Sequence, residues 1–158
     1  MKWLSLLTAV AWVDFVVIVL SKIVPLTQSL KLWYSTFGVS AVAADILIIV
    51  LGIALAQLLF PGISGWSLVV TAVVIQLLHD VLFYVGVIRQ VPDGQNKMID
   101  MFKRYSAEGS WKILLADAAM VASSVLLMEF LDDHLTDDQV GFGGLLAVYS
   151  LVYILYTQ

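Results

Sequence analysis

The stretch FGVSAVAADILIIVLGIALAQLLF, residues 37–60, decides the fold of this chain. Asp45 is its only charged residue, and no proline interrupts it. A run of about 20 apolar residues is long enough to cross the roughly 30 Å of hydrocarbon in a bilayer as an α-helix. Because lipid offers no partner to backbone N–H and C=O groups, the many valines and isoleucines do not favour a strand here, and the stretch predicts a transmembrane helix.

Four further apolar runs of spanning length surround this one. They cover residues 3–20, 66–88, 110–131 and 140–156. Hydrophobic residues make up 61% of the 158 residues and charged residues 13%, against about 45–50% and about 25% in soluble proteins. The sequence therefore predicts an all-α fold, a polytopic transmembrane bundle of about five spans that forms a single integral membrane domain over residues 1–158.

The third connection carries an amphipathic segment. NKMIDMFKRY places Met98, Phe102 and Tyr105 at i, i+4 and i+7, with basic residues around them. This spacing predicts a short interfacial helix over about residues 95–105, which is either an ordinary loop helix or a recruitment element.

The basic residues predict the orientation of the bundle. The first connection contains Lys22 and Lys31, and the third connection with its flanks contains five more basic residues, namely Arg89, Lys97, Lys103, Arg104 and Lys112. The second and fourth connections contain none. Because short cytoplasmic loops are enriched in lysine and arginine, we expect the amino terminus outside and the carboxyl terminus in the cytoplasm.

Aspartates inside the apolar runs are the main functional signal. They are Asp14, Asp45, Asp80 and Asp117. An aspartate at the centre of a membrane helix costs about 2.5–3.5 kcal/mol on insertion scales, so it normally faces the bundle interior. At about 1.5 Å per residue, each lies about 9–12 Å from the cytoplasmic end of its span. We therefore predict one polar cluster, in which some carboxyl groups are protonated, paired or sharing a cation.

Other polar side chains are candidates to support the aspartates. His79 adjoins Asp80 and is a candidate proton relay, with a structural core histidine as the alternative. Tyr84 follows Asp80 by one helical turn on the same face. Tyr153 in the last span is a second hydrogen-bonding candidate, and Lys112 could extend its stem towards the boundary. Packing in an interfacial aromatic belt is the alternative role for the tyrosines.

A weak internal repeat links two halves of the chain. YSTFG followed by AAD, ending at Asp45, resembles YSAEG followed by LAD, ending at Asp117. Spans two and three would then correspond to spans four and five as related hairpins, with their aspartates in equivalent positions. A chance match of common residues is the alternative.

Three stretches carry a resemblance to known proteins. LWYSTFGVSAVAADILIIVLGIALA, IQLLHDVLFY and MIDMFKRYSAEGSWKILLADAAM, which lie within residues 32–128, resemble small multi-span membrane proteins encoded by large DNA viruses of algae and protists. The shared features are an acid after small residues in spans two and four and the pair His79-Asp80. The resemblance implies a viral origin and a host or virion membrane, and it transfers no catalytic residue.

Several function classes find no support in the sequence. The chain has no cysteine and no basic patch interleaved with aromatics, so thiolate chemistry and nucleic-acid binding are not expected. It has no P-loop or HExxH motif, and no cofactor is predicted beyond a bound cation. The lipid bilayer is the expected partner. Self-association is also expected, because the glycines of the last span and the alanines of spans two and four permit close helix contact.

The leading hypothesis is a channel or carrier that binds or conducts protons or cations through the four aspartates. One alternative is a non-catalytic structural membrane component of a large DNA virus, in which the acids hold helices together through interhelical hydrogen bonds. A second alternative is a metal-assisted intramembrane enzyme. A non-enzymatic role fits the sequence better, since no complete catalytic motif is present.

Overall fold

The computed structural model describes residues 2–24 and 28–157, apart from the side chain of Ser110. Residues 25–27 of the first connection lie outside this part. The helices are α1 (Trp3–Ile23), α2 (Gln28–Phe37), α3 (Val39–Leu59), α4 (Gly65–Phe83) with a π-helical continuation (Tyr84–Ile88), α5 (Lys97–His134) and α6 (Asp137–Leu155). The described residues contain no strand, and the prediction of an all-α fold is confirmed.

Five helical segments are long and apolar enough to cross a membrane. Among the described residues these are Trp3–Ile23, Val39–Leu59, Gly65–Ile88, Trp111–His134 and Asp137–Leu155. The predicted number of spans is therefore confirmed, with ends that differ from the sequence-based bounds by a few residues. The orientation of the termini stays a prediction.

Local side-chain chemistry sets several helix ends. The Asn96 side chain accepts hydrogen bonds from backbone N–H groups in the first turn of α5. Thr136 and Gln139 form a reciprocal capping box at the start of α6. Gly38, with φ of 51°, separates α2 from α3. Glycine adopts a positive φ without the steric strain that a Cβ atom would cause, so the turn between these helices depends on this residue.

The segment predicted as an interfacial helix at residues 95–105 is helical, but it is not a separate element, and its location at the interface stays a prediction. Lys97–His134 is one continuous helix, so the amphipathic segment extends the fourth span. Gly109 lies between the two parts, and a glycine in a helix costs only about 1 kcal/mol relative to alanine. Met101 is buried, and Met98 and Phe102 pack against the same core cluster. This packing favours an unbroken helix.

The first connection contains a helix that the sequence analysis did not predict. In α2, Ser29, Trp33 and Tyr34 are buried, whereas Lys31 and Leu32 are exposed. This helix packs on α1, α3 and α5. It therefore lies at the end of the bundle where α1 ends and α3 begins.

Helix α1 is the central element of the bundle. It contacts α3, α5 and α6, and its most apolar part is more buried than that of any other span. Helix α6 packs on α1 rather than on α5, whereas α3 and α4 pack directly on each other. The predicted pair of equivalent hairpins is therefore not found, because α1 takes the place next to α6 that a hairpin partner would occupy.

The glycines of α6 face α1 within the same chain. The Thr8 hydroxyl donates to the Val140 carbonyl at 3.2 Å, and the Trp12 indole N–H donates to the Gly143 carbonyl at 3.1 Å. A Cβ atom added at Gly144 would lie 2.6 Å from Thr8 Oγ1. Small residues allow membrane helices to approach this closely, and here they serve the intramolecular contact. Self-association stays a prediction that would use another face.

Candidate functional site

A large cavity lies among helices α1 to α5. Its volume is about 1350 Å³, and apolar side chains form most of its wall. Three of the four predicted aspartates line it, namely Asp45, Asp80 and Asp117. Ligand sites in proteins typically measure about 300–1,000 Å³, so this cavity has room for an organic molecule.

Helix α2 supplies hydrogen-bond donors to the aspartates of α1 and α3. Asp14 is 0% exposed and accepts a hydrogen bond from the Tyr34 hydroxyl at 3.2 Å. The Trp33 indole N–H donates to Asp45 Oδ2 at 3.1 Å, and the Tyr34 hydroxyl lies close to the same carboxylate. Asp14 itself does not line the cavity. Tyr34 therefore links the buried Asp14 to a carboxylate that does line it.

Asp80 is held by neighbours on its own helix. The Gln76 amide donates to Asp80 Oδ1 at 2.7 Å, and His79 Nδ1 lies 3.2 Å from the same oxygen. The second oxygen, Oδ2, is buried without a hydrogen-bond partner, as is Gln76 Oε1. His79 also stacks on Phe83, with ring centroids 5.5 Å apart. This part of the site therefore has more hydrogen-bond acceptors than donors.

Asp117 has fewer hydrogen-bond partners than the other three aspartates. It makes no hydrogen bond to the part of the chain that the structure describes, and it lies within Coulombic range of Asp80 and Asp45. Asp14 and Asp45 are in range of each other as well. The shared depth of the four acids in the bilayer stays a prediction, because the helix contacts place residues relative to one another and not relative to lipid.

Two phenols from outside the spans complete the polar part of the site. Burial raises the pKa of Tyr105, which lines the cavity, and the charges of Asp117, Asp45 and Glu108 raise it further. Burial also raises the pKa of Tyr34 well above its usual value, and the nearby carboxylates add to this effect. Both phenols therefore stay protonated at neutral pH and can donate hydrogen bonds.

The predicted supporting residues divide into two groups. His79 and Tyr84 line the cavity. Tyr153 does not line it; this side chain is 63% exposed on α6, with its ring 4.8 Å from that of Tyr149. Lys112 is exposed and does not line it either. Their distance from the cavity follows from the packing of α6 on α1 and from the outward face that Lys112 occupies on α5.

Sequence reasoning missed several polar residues of this site, among them Trp33, Tyr34, Gln76 and Tyr105. A signal for the first two was present, because a tryptophan next to a tyrosine in a connection must find partners for its polar atoms once buried. Gln76 lies one turn before Asp80, a spacing at which helix side chains meet.

Three aspartates lie on the wall of the cavity. Among residues 2–24 and 28–157, no lysine or arginine lines it. Within the same part of the chain, no group of three His, Cys, Asp or Glu side chains is placed to hold a metal ion. The aspartates of the wall therefore face no described lysine or arginine across the cavity.

No protein-family model, curated protein or solved structure matches this chain.

Proposed function

We propose that this membrane protein binds protons or cations in the cavity among α1 to α5 and conducts or carries them across the bilayer. The observation that supports the proposal is the presence of three aspartates, and no lysine or arginine of the described chain, on the wall of one cavity of about 1350 Å³. Carboxylates at close range in a medium of low polarity repel one another. A proton or a cation relieves that repulsion, and the site therefore takes up positive charge.

In this proposal the four aspartates have different roles. Asp45, Asp80 and Asp117 contact the bound species. Asp14 acts through Tyr34, which donates to Asp14 and lies close to Asp45. His79 shares an Asp80 oxygen with Gln76, and this contact makes it the candidate to pass protons to and from Asp80.

Hydrogen bonding also favours a second candidate function, in which the acids only hold the helices together. Tyr34 joins α2 to α1 through Asp14, and Trp33 joins α2 to α3 through Asp45. Interhelical hydrogen bonds in membranes contribute about 0.6–2 kcal/mol each to stability. This stabilisation alone would be a sufficient reason for the acids to be present. Asp117 distinguishes the two candidates because it holds no such bond. A structural component of a viral or host membrane, as the sequence resemblance implies, belongs to this second candidate.

The experiment measures proton uptake by liposomes that contain the purified protein and a trapped pH-sensitive dye, driven by a potassium diffusion potential. We expect uptake above that of protein-free liposomes, and we expect Asp117→Asn and Asp45→Asn to reduce it to the protein-free level. Asp133→Asn, an exposed acid away from the cavity, is the matched control. Sodium or potassium gradients in the same liposomes test inorganic cations.

Wild-type protein without flux of any tested ion would contradict transport and favour the structural role. Asp117→Asn protein that conducts as well as wild type would contradict the role proposed for Asp117 in the site. Size-exclusion chromatography and circular dichroism of each variant separate a lost site from a lost fold.

A further inference from the structure

The shape and chemistry of the cavity restrict the cation that it can hold. We propose that the cavity is a binding site for a hydrophobic organic cation, namely a protonated amine on an aromatic or aliphatic body, that enters from the lipid side. This inference rests on the proposed function and names the class of cation for the same site.

Size and wall composition argue against a bare inorganic ion. The cavity of about 1350 Å³ is lined mostly by apolar side chains. A dehydrated metal ion needs several oxygen ligands around one point, and no described group of three His, Cys, Asp or Glu residues is placed to supply them. An organic cation fills the apolar volume with its body and places its charge at the carboxylates.

Around Asp80 and Asp117, the site has more hydrogen-bond acceptors than donors. Gln76 is 4% exposed and lines the cavity, and its Oε1 has no hydrogen-bond partner. Asp80 Oδ2 has none either, and Asp117 makes no hydrogen bond to the described chain. Unpaired acceptors in a buried site are unfavourable. An ammonium group carries two or three N–H donors together with the positive charge, whereas a quaternary cation or a metal ion brings no donor.

Aromatic rings stand next to these acids. Trp33 and Phe102 lie with ring centroids 4.9 Å apart, and Phe83 and Phe102 lie 6.3 Å apart. All three side chains line the cavity. Ring faces attract ammonium groups and pack against apolar bodies. The neighbouring aromatic and acidic groups therefore match the two ends of an amphiphilic amine.

The cavity opens towards lipid. Leu47 and Leu51 of α3 line it and are 56% and 62% exposed, and both lie in the middle of a span. Val81 of α4 is also a lining residue with more than half of its surface exposed. A ligand that partitions into the bilayer can reach the acids through this side opening without crossing the connections.

Binding to the full-length protein in lipid nanodiscs tests the inference. The probe is phenylpropylamine, and phenylpropanol, which has nearly the same shape without the charge, is the control ligand. Isothermal titration calorimetry and the fluorescence of Trp33, Trp12 and Trp111, which line the cavity, report binding against empty nanodiscs. We expect the amine to bind and the alcohol to bind at least about tenfold more weakly, as the loss of one hydrogen bond to a charged group predicts.

Two variants separate charge from volume. Asp117→Asn should weaken amine binding by about tenfold or more and leave alcohol binding unchanged. Ala116→Phe, at a lining position, should weaken both ligands because it fills the cavity. Asp133→Asn should behave as wild type. Circular dichroism and size-exclusion chromatography identify a variant that fails to fold. If either Asp117→Asn or Ala116→Phe does so, the binding measured with the other variant tests the inference.

The outcomes distinguish this inference from the proposed function. Equal binding of amine and alcohol, or amine binding that neither Asp117→Asn nor Ala116→Phe weakens, overturns the inference. No amine binding by a protein that still conducts protons overturns the inference and leaves the proposed function standing. Amine binding without any ion flux supports the amine site and contradicts transport, and the absence of both contradicts both.

Discussion

At the scale of residues, three of the four buried aspartates obtain their hydrogen-bond partners from the neighbouring helix α2 or from their own helix. Asp14 and Asp45 accept hydrogen bonds from Tyr34 and Trp33 on α2. The sequence indicated the four aspartates because a charged group stands out in an apolar run. It did not indicate these donors, because which face of α2 is buried depends on where α2 packs.

The hydrogen-bond partners of Glu108, an exposed acid on α5, also depend on where α2 packs. Its carboxylate accepts hydrogen bonds from the backbone N–H groups of Gln28 at 2.9 Å and Ser29 at 3.0 Å, at the start of α2. The nearby Ser29 side chain and these backbone bonds together lower the pKa of Glu108. An acid at this position accepts from helix N–H groups that have no partner within the helix.

We predict that Glu108→Gln destabilises the docking of α2 in a pH-dependent way. The pKa of Glu108 is lower in the folded protein than its ordinary value of 4.5. Its contribution to stability is therefore complete above pH 4.5 and is lost as the pH falls through the folded pKa. The measurement is thermal unfolding in detergent by circular dichroism at a series of pH values.

The variant should melt below wild type at pH 7, and the difference should shrink in acid. Asp133→Asn, which replaces an exposed acid at the other end of α5, should show no such trend. A melting difference for Glu108→Gln that stays constant across the pH series would contradict a role for its charge.

At the scale of elements, the closest contact at any glycine of the chain lies between α6 and α1. The Cβ that alanine would add at Gly144 meets Thr8 Oγ1 at 2.6 Å, whereas at Gly143 the nearest atom is Thr8 Cγ2 at 3.8 Å. Thr8 is buried, its Oγ1 donates to Val140, and β-branched side chains have few rotamers in a helix. Neighbouring glycines of one helix therefore tolerate a methyl group differently.

We predict that Gly144→Ala destabilises the protein by about 1–3 kcal/mol, the usual range for overpacking. Gly143→Ala, the matched control, should be neutral or stabilising by up to about 1 kcal/mol, because alanine is the better helix former. Reversible unfolding in mixed micelles, followed by circular dichroism, measures these differences.

A second substitution tests the cause. Thr8→Ala removes the hydroxyl that the new methyl group meets and leaves Thr8 Cβ at an ordinary 3.6 Å. The double variant should therefore lose less stability than the two single variants added together. Strict additivity would show that the contact between Gly144 and Thr8 is not the origin of the effect.

At the scale of the whole molecule, α1 and α6 run in the same direction. Lys2 pairs with Asp137 at 3.2 Å, where both helices begin, and Lys22 contacts the Thr157 carbonyl, where both helices end. The start of α1 and the end of α6 therefore lie at opposite ends of the bundle, as an odd number of spans requires. Which end faces the cytoplasm depends on the basic residues of the connections.

We predict that the connection between α4 and α5 is cytoplasmic and that the connection between α5 and α6 is external. The chain has no cysteine, so single cysteines can be introduced without background. In intact cells a membrane-impermeant maleimide should label Asp138→Cys and leave Gln95→Cys unlabelled, and both should react after permeabilisation. Both native side chains are exposed. The reverse pattern would invert the topology, and equal labelling of both in intact cells would contradict five spans.

Hydropathy alone determined the helical class of this protein and its five spans. A membrane helix satisfies its backbone within one segment, so length and apolar composition are sufficient to predict it. The charged residues inside those spans, Asp14, Asp45, Asp80 and Asp117, could also be selected without a structure.

Only the tertiary structure decided which of these acids share a cavity, that α1 is central and that α5 continues through residues 97–134. Each residue turns a helix by about 100°, so the face that a side chain presents depends on how the helix is rotated against its neighbours. Those rotations result from packing between segments far apart in the chain, such as Thr8 against Gly144, and no local pattern contains them.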